Sequence, residues 1–148
     1  MPVDRRGLAL RPVFREPRVA VVPADHRLAG KQSVGIADLA AERLLQNPDA
    51  VPEWRDLPER NGAEGAGPPP AFRTVEEKLE HVATSGGVLV LPLSTAVYYT
   101  HADVAHVPID DIGPNEVCLA WSAGRSSPLM SEFADIAAAL HQGPAVMP

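Results

Sequence analysis

Runs of continuous apolar residues alternate with segments whose apolar residues are spaced for a helix. Arg18-Val19-Ala20-Val21-Val22 is a β-branched run stopped by Pro23, the pattern of a strand covered on both faces. Val88-Leu89-Val90-Leu91-Pro92 repeats that pattern. Between them, Ile36, Leu39 and Ala40 put one apolar face on a short helix that Ser33 can cap. Leu44-Leu45-Gln46 predicts a second short strand, ended by the turn cluster Asn47-Pro48-Asp49. Ala71-Phe72-Arg73 reads as a strand end, and Thr74-Val75-Glu76-Glu77 as a capping box with Thr74 at the N-cap. The helix that follows carries Val75, Leu79 and Val82 on one face, and Gly86 closes it, glycine tolerating a left-handed cap. Strand, capped helix, glycine and strand predict a βαβ unit with a right-handed crossover.

The remaining segments extend the alternation. Leu8 to Phe14 makes one short lead-in strand, Ser94 to Tyr99 a short helix, and Val104 to Ile109 an edge-like strand. Glu116 to Trp121 is one more strand. Ser127-Pro128 starts a last helix, with proline at its favoured first position and Leu129, Phe133, Ile136, Ala137 and Leu140 as its buried stripe. About six strands and four helices in alternation give an α/β class, a mixed sheet flanked by helices. Strands ending near Val22, Gln46, Arg73 and Leu91 are expected to share that sheet. The run of Pro, Gly and polar residues over 58–70 cannot hold a packed element and is expected to be an exposed, mobile loop within one domain. The expected organisation is a lead-in segment 1–15, an α/β lobe 16–124 and a C-terminal helix 127–141.

Composition narrows the function. The 148 residues suffice for one hydrophobic core, and 45% apolar with 22% charged residues is ordinary for a soluble globular protein. A formal charge of −6 with thirteen scattered basic residues argues against direct grip on a phosphate backbone. No apolar stretch reaches the roughly 20 residues of a membrane helix, and nothing at the start reads as a signal peptide. The single cysteine, Cys118, sits in the apolar run Val117 to Trp121 and reads as a buried small hydrophobe in a cytoplasmic protein.

Catalytic signatures are missing. There is no Gly-x-Ser-x-Gly elbow, no phosphate-binding loop ending in Lys-Ser or Lys-Thr, and no Gly-x-Gly-x-x-Gly after a strand. The five histidines, His26, His81, His101, His106 and His141, have neither partner cysteines nor helical pairing, so neither a metal nor a cofactor is implied. His81 reads as a surface partner of Glu77. Polar groups fall where open α/β sheets bind ligands, at a strand end: Gln46 and Asn47. Thr74 reads first as the helix cap; the alternative is a hydroxyl with free N–H groups suited to a small carboxylate. Trp54 either packs its loop onto the body or walls a ligand crevice.

Several segments together resemble one family. Glu16-Pro17-Arg18-Val19-Ala20-Val21-Val22-Pro23-Ala24-Asp25-His26-Arg27-Leu28-Ala29 resembles the opening of the second effector-binding subdomain of LysR-type transcription regulators. Ser33 to Ala40 is similar to the short helix that comes next there. Val75-Glu76-Glu77 through Gly86-Gly87-Val88-Leu89-Val90-Leu91-Pro92 follows that family's helix, glycine and valine-leucine-proline strand in order and spacing. The resemblance runs over residues 16 to 140.

The resemblance implies a lobe of the type II periplasmic-binding-protein-like fold that senses a small molecule and catalyses nothing. The implied ligand is a small metabolite, a carboxylate or aromatic acid, facing Gln46, Asn47, Phe72 and Thr74, with Trp54 a further wall residue. It implies a dimer to which the helix from Val75 to Thr84 contributes, and DNA contact only through an amino-terminal domain outside this sequence. The other class of reading is a stand-alone oligomerising module or a remnant of such a regulator, with apolar surface exposed near Leu8 to Phe14 and along the last helix. An enzyme of the same fold using Thr74 or Glu77 is the third.

Overall fold

Strand Arg18–Pro23 (β2) lies at the centre of the molecule's main sheet, as its unbroken apolar run predicts. The computed structural model describes residues 5–58, 68 and 71–141. Leu89–Pro92 (β3) and Val104–Pro108 (β4) flank β2 on either side, both antiparallel to it. The register runs Arg18↔Pro92 to Val21↔Leu89 on one side and Val19↔Pro108 to Pro23↔Val104 on the other. Because side chains alternate across a strand, Ala20 and Val22 enter one apolar cluster while Val19 and Val21 enter another. The first cluster also holds Leu28, Val51, Trp54 and Val107, and the second Leu45, Leu79, Val82 and Ala96. Both faces of β2 are therefore covered.

Helix Val75–Ala83 (α2) follows Thr74 as expected, with Leu79 and Val82 buried. Leu93–Tyr98 (α3) begins directly after β3. Pro52–Arg55 (α1) is a single turn whose Trp54 points inward. Two further turns, Ile36–Leu39 and Pro48–Ala50, are 3-10 helices.

The expected βαβ unit does not form from 71–73, which make no strand. The Arg73 N–H is taken by the Glu77 carboxylate at 2.8 Å, so it serves the helix cap rather than a ladder. Residues 43–45 instead approach β3 in parallel, through the Leu44↔Val88 bridge and main-chain bonds of 2.8 and 2.9 Å. Of the four strand ends expected in one sheet, Val22 and Leu91 share it, residues 44–46 join by that bridge, and Arg73 stays outside.

The end of α2 also differs from expectation. Ser85, at φ 60°, takes the left-handed position, and the Gly86 N–H closes the turn on the His81 carbonyl at 2.8 Å. Gly87, at φ 150°, is required by closeness, since a Cβ there would stand 2.3 Å from the Arg43 carbonyl oxygen.

Ser33 does not cap the first 3-10 turn. Its hydroxyl donates to Asp110 at 2.7 Å, while Asp38 accepts from the Gly35 N–H and Asp111 from the Ile36 N–H. The expected loop at 58–70 lies, Pro58 and Pro68 apart, outside the described residues.

The chain divides into two compact units, the first running Pro17–Gly113. In the second, Leu8–Glu16 (β1) pairs antiparallel with Asn115–Ser122 (β5), from Leu8↔Ser122 to Glu16↔Asn115. The register shifts between Pro12 and Phe14, where proline offers no N–H to the ladder. β5, expected inside the 16–124 lobe, thus pairs with the lead-in strand.

Helix Pro128–Leu140 (α4) completes this unit, capped by the Ser127 hydroxyl accepting from the Met130 N–H. Of its expected buried stripe only Ala137 is half-buried, and the large residues face out. Leu129, Phe133, Ile136 and Leu140 are 77, 64, 53 and 74% exposed, and Ala134 and Ala138 are buried. Small alanines let the helix lie close to its neighbour, and Arg11–Asp135 at 2.8 Å with Phe14 stacked on His141 at 4.9 Å fix which face turns inward.

Candidate functional site

The five residues expected to line a ligand crevice fall into three environments, all within the Pro17–Gly113 unit. Gln46 follows the parallel bridge, and its side-chain carbonyl accepts the Val90 N–H at 2.9 Å, extending the main-chain ladder by one bond. Asn47, exposed, caps the Pro48–Ala50 turn by accepting the Asp49 N–H at 2.9 Å. Both side chains therefore hold the strand end in shape, Gln46 half-buried and Asn47 exposed.

Phe72 is half-buried against the second apolar cluster and meets His81 edge-on at 4.7 Å. Leu45, beside Gln46, belongs to that same cluster, so segments 45–47 and 72–74 border one part of the fold. His81 does not pair with the Glu77 carboxylate. Its Nδ1 lies 3.0 Å from the Glu77 main-chain oxygen, because that carboxylate is turned back onto Arg73.

Thr74 accepts the Glu77 N–H at 3.2 Å and so acts as the cap of α2. Accepting there, its hydroxyl keeps an O–H to donate. Glu76 and Glu77 fill the first turn, and an incoming carboxylate would compete with Glu77 for this electropositive end.

Trp54 belongs to the third environment. It is 2% exposed, and its indole N–H donates to the Leu39 carbonyl at 2.9 Å. That is the packing arrangement, and the indole walls no crevice in this conformation. Next to it, Glu53 engages the Arg18 guanidinium. This ion pair is not legible in the sequence, since residues so far apart in the chain carry no spacing signal.

A separate cavity of about 120 Å³ opens between α2, α3 and β4, with Val21, Leu79 and Val104 as floor and Tyr99, His101 and His106 at its rim. None of the five expected residues lines it. Among the described residues no three or more His, Cys, Asp or Glu are grouped to hold a metal ion. No described helix is long and apolar enough to cross a membrane. In the second unit, Cys118 is half-buried. Burial, with the charge and hydrogen bond of Glu116, pushes its thiol above the ordinary range against an opposing Arg5, which disfavours the thiolate.

An α/β body of this kind, with a β2-centred antiparallel sheet between helices, is a periplasmic-binding-protein-like fold of type II. The match to known proteins places it more closely. The LysR substrate binding domain covers residues 1–142, and the chain belongs to that family. Among solved structures, the effector binding domain of a BenM variant aligns at TM-score 0.72 and 18% identity, over 95% of this chain and 69% of that one. The reduced OxyR regulatory domain from Pseudomonas aeruginosa aligns at 0.68 and 24%, over 95% and 69%. A Corynebacterium glutamicum OxyR C206 mutant aligns at 0.70 and 19%, over 94% of this chain and 46% of its own length. The chain thus spans less than half of that last regulator. No curated protein matches it.

Proposed function

We propose that this chain is the effector-sensing part of a LysR-type transcription regulator, responding to a small carboxylate or aromatic acid. The family match over residues 1–142 carries this reading. Gln46, Asn47, Phe72 and Thr74 form the rim: the Thr74 O–H and the Asn47 amide supply donors, and Phe72 an aromatic edge. Trp54 takes part only by holding the neighbouring turn in place. Sensing of this kind requires only that the ligand bind one conformation better than another; no bond is made or broken. Output to DNA passes through a separate winged-helix domain, in keeping with the charge of −6.

Thermal unfolding with benzoate and a panel of small aliphatic carboxylates tests the reading. A saturable rise in Tm, reduced in Thr74→Val and in Asn47→Ala, is the expected result. A flat response across the panel in a folded monomer counts against it.

One observation favours a second reading, an oligomerising module. The exposed α4 residues Leu129, Phe133, Ile136 and Leu140 recur at the four-three-four spacing with which one helix meets another. An obligate oligomer indifferent to every ligand would support the module instead.

A further inference from the structure

Among the described residues the chain passes between its two compact units at 16/17 and at 113/114. Both exits meet at one side chain. Arg18, on the incoming side, donates from Nε–H to the carbonyl oxygen of Gly113 on the outgoing side, at 2.9 Å. The rest of its guanidinium is held by the Glu53 carboxylate of α1. The Arg18 side chain is only 12% exposed, and the second Glu53 oxygen is buried with no hydrogen-bond partner among the described residues.

The main chain around both exits is anchored independently. The Leu93 N–H donates to Pro17 at 3.0 Å and the Ile109 N–H to Arg18 at 3.2 Å, while Asp110 and Asp111 take Ser33 and the Ile36 N–H. Gly113 lies beyond these anchors and, among the described residues, is held by Arg18. A charge-assisted fork can therefore fix the last residue before the crossing.

Glu53 itself cannot shift freely. Trp54, next to it, is fixed in the core by its bond to Leu39, and Arg55 is held between Asp49 and Asp56 at 2.8 Å each. Asn47, at the rim, caps the turn that leads into this same segment. Residues 47–55 are thus one braced piece, with a rim residue at one end and the Arg18 partner near the other.

We infer that Arg18 is a hinge clasp: by joining Gly113 to Glu53, it sets the path of the outgoing crossing from the segment that carries Asn47. A displacement of 47–55 by a ligand at the rim would reach the crossing through two side chains and one carbonyl. The inference rests on the sensor reading only in treating the crossing as a hinge; the clasp itself needs no ligand.

Hydrogen–deuterium exchange on the whole ligand-free chain tests it. Glu53→Gln is expected to raise exchange over residues 110–116 about tenfold while leaving 88–91 unchanged, because local opening is separable from global unfolding. Arg18→Lys, which keeps the charge but loses the fork, is expected to do the same. Glu53→Asp, a milder change that keeps the carboxylate, is expected to give a smaller rise confined to the same residues. Equal acceleration in both segments, or none in either, overturns the clasp. Because no ligand is present, that outcome leaves the sensor reading standing, and an unresponsive thermal shift leaves the clasp standing.

Discussion

Burial and pairing act in opposite directions on the Glu53 carboxyl. Burial pushes it up, and Asp56 adds to that. The hydrogen bond and charge of Arg18, with a main-chain bond, outweigh both and hold the carboxyl below the ordinary carboxylate value of 4.5. A lowered value in the folded state gives stability that is present above 4.5 and is lost as pH falls through the folded value. Acid unfolding at fixed urea is therefore expected to steepen below that pH, and Glu53→Gln to remove this part of the slope while other carboxylates keep theirs. Trp54 gives a larger effect through a different cause. Trp54→Ala should cost about 3–5 kcal/mol from the emptied core, and Trp54→Phe about 1–3 kcal/mol from the stranded Leu39 carbonyl, both read by urea denaturation. The sequence left Trp54 open between packing and ligand contact, because what lies beneath a loop is not encoded in spacing. Gln46 and Asn47 were legible as polar strand-end residues; their bonds to Val90 and Asp49 were not.

Helix α2 shows how far local pattern reaches. Its N-cap and its buried Leu79 and Val82 follow from residue types that satisfy a helix wherever it sits; its close does not, since Ser85 rather than Gly86 takes the left-handed position. The reach of Glu77 to Arg73 could not be read, since it depends on residues 71–73 leaving the sheet. Thr74→Ala should lower stability by about 1 kcal/mol, the loss of one N-cap acceptor. Gly87→Ala should do more harm, because the new methyl would meet the Arg43 carbonyl and force 43–45 away from β3. Urea denaturation with far-ultraviolet dichroism separates the two: the cap variant keeps native helicity, and the Gly87 variant loses cooperativity. Helix α4 marks the opposite case. Hydrophobic spacing identifies a face with large apolar side chains, but whether that face has a partner is a tertiary fact.

At the scale of the molecule, the α/β class was readable because β2 and β3 are continuous apolar runs and the helices keep their period. The division into two units was not, because the β1–β5 pairing joins opposite ends of the chain. The α4 stripe is exposed, and apolar patches of this kind drive association. A Phe133→Ser, Ile136→Ser double variant is expected to shift sedimentation towards the monomer while changing unfolding free energy by less than about 1 kcal/mol. The bond from Arg18 to the Gly113 carbonyl also bears on the order of assembly. Closing a loop as long as the one between β1 and β5 removes chain entropy before any strand pair rewards it. Once residues 17–113 have folded, Arg18 brings the two exits together, and β1 and β5 can zip as if they were arms of a hairpin whose turn is a whole folded body. The β1–β5 sheet is thus expected to form last and to melt first.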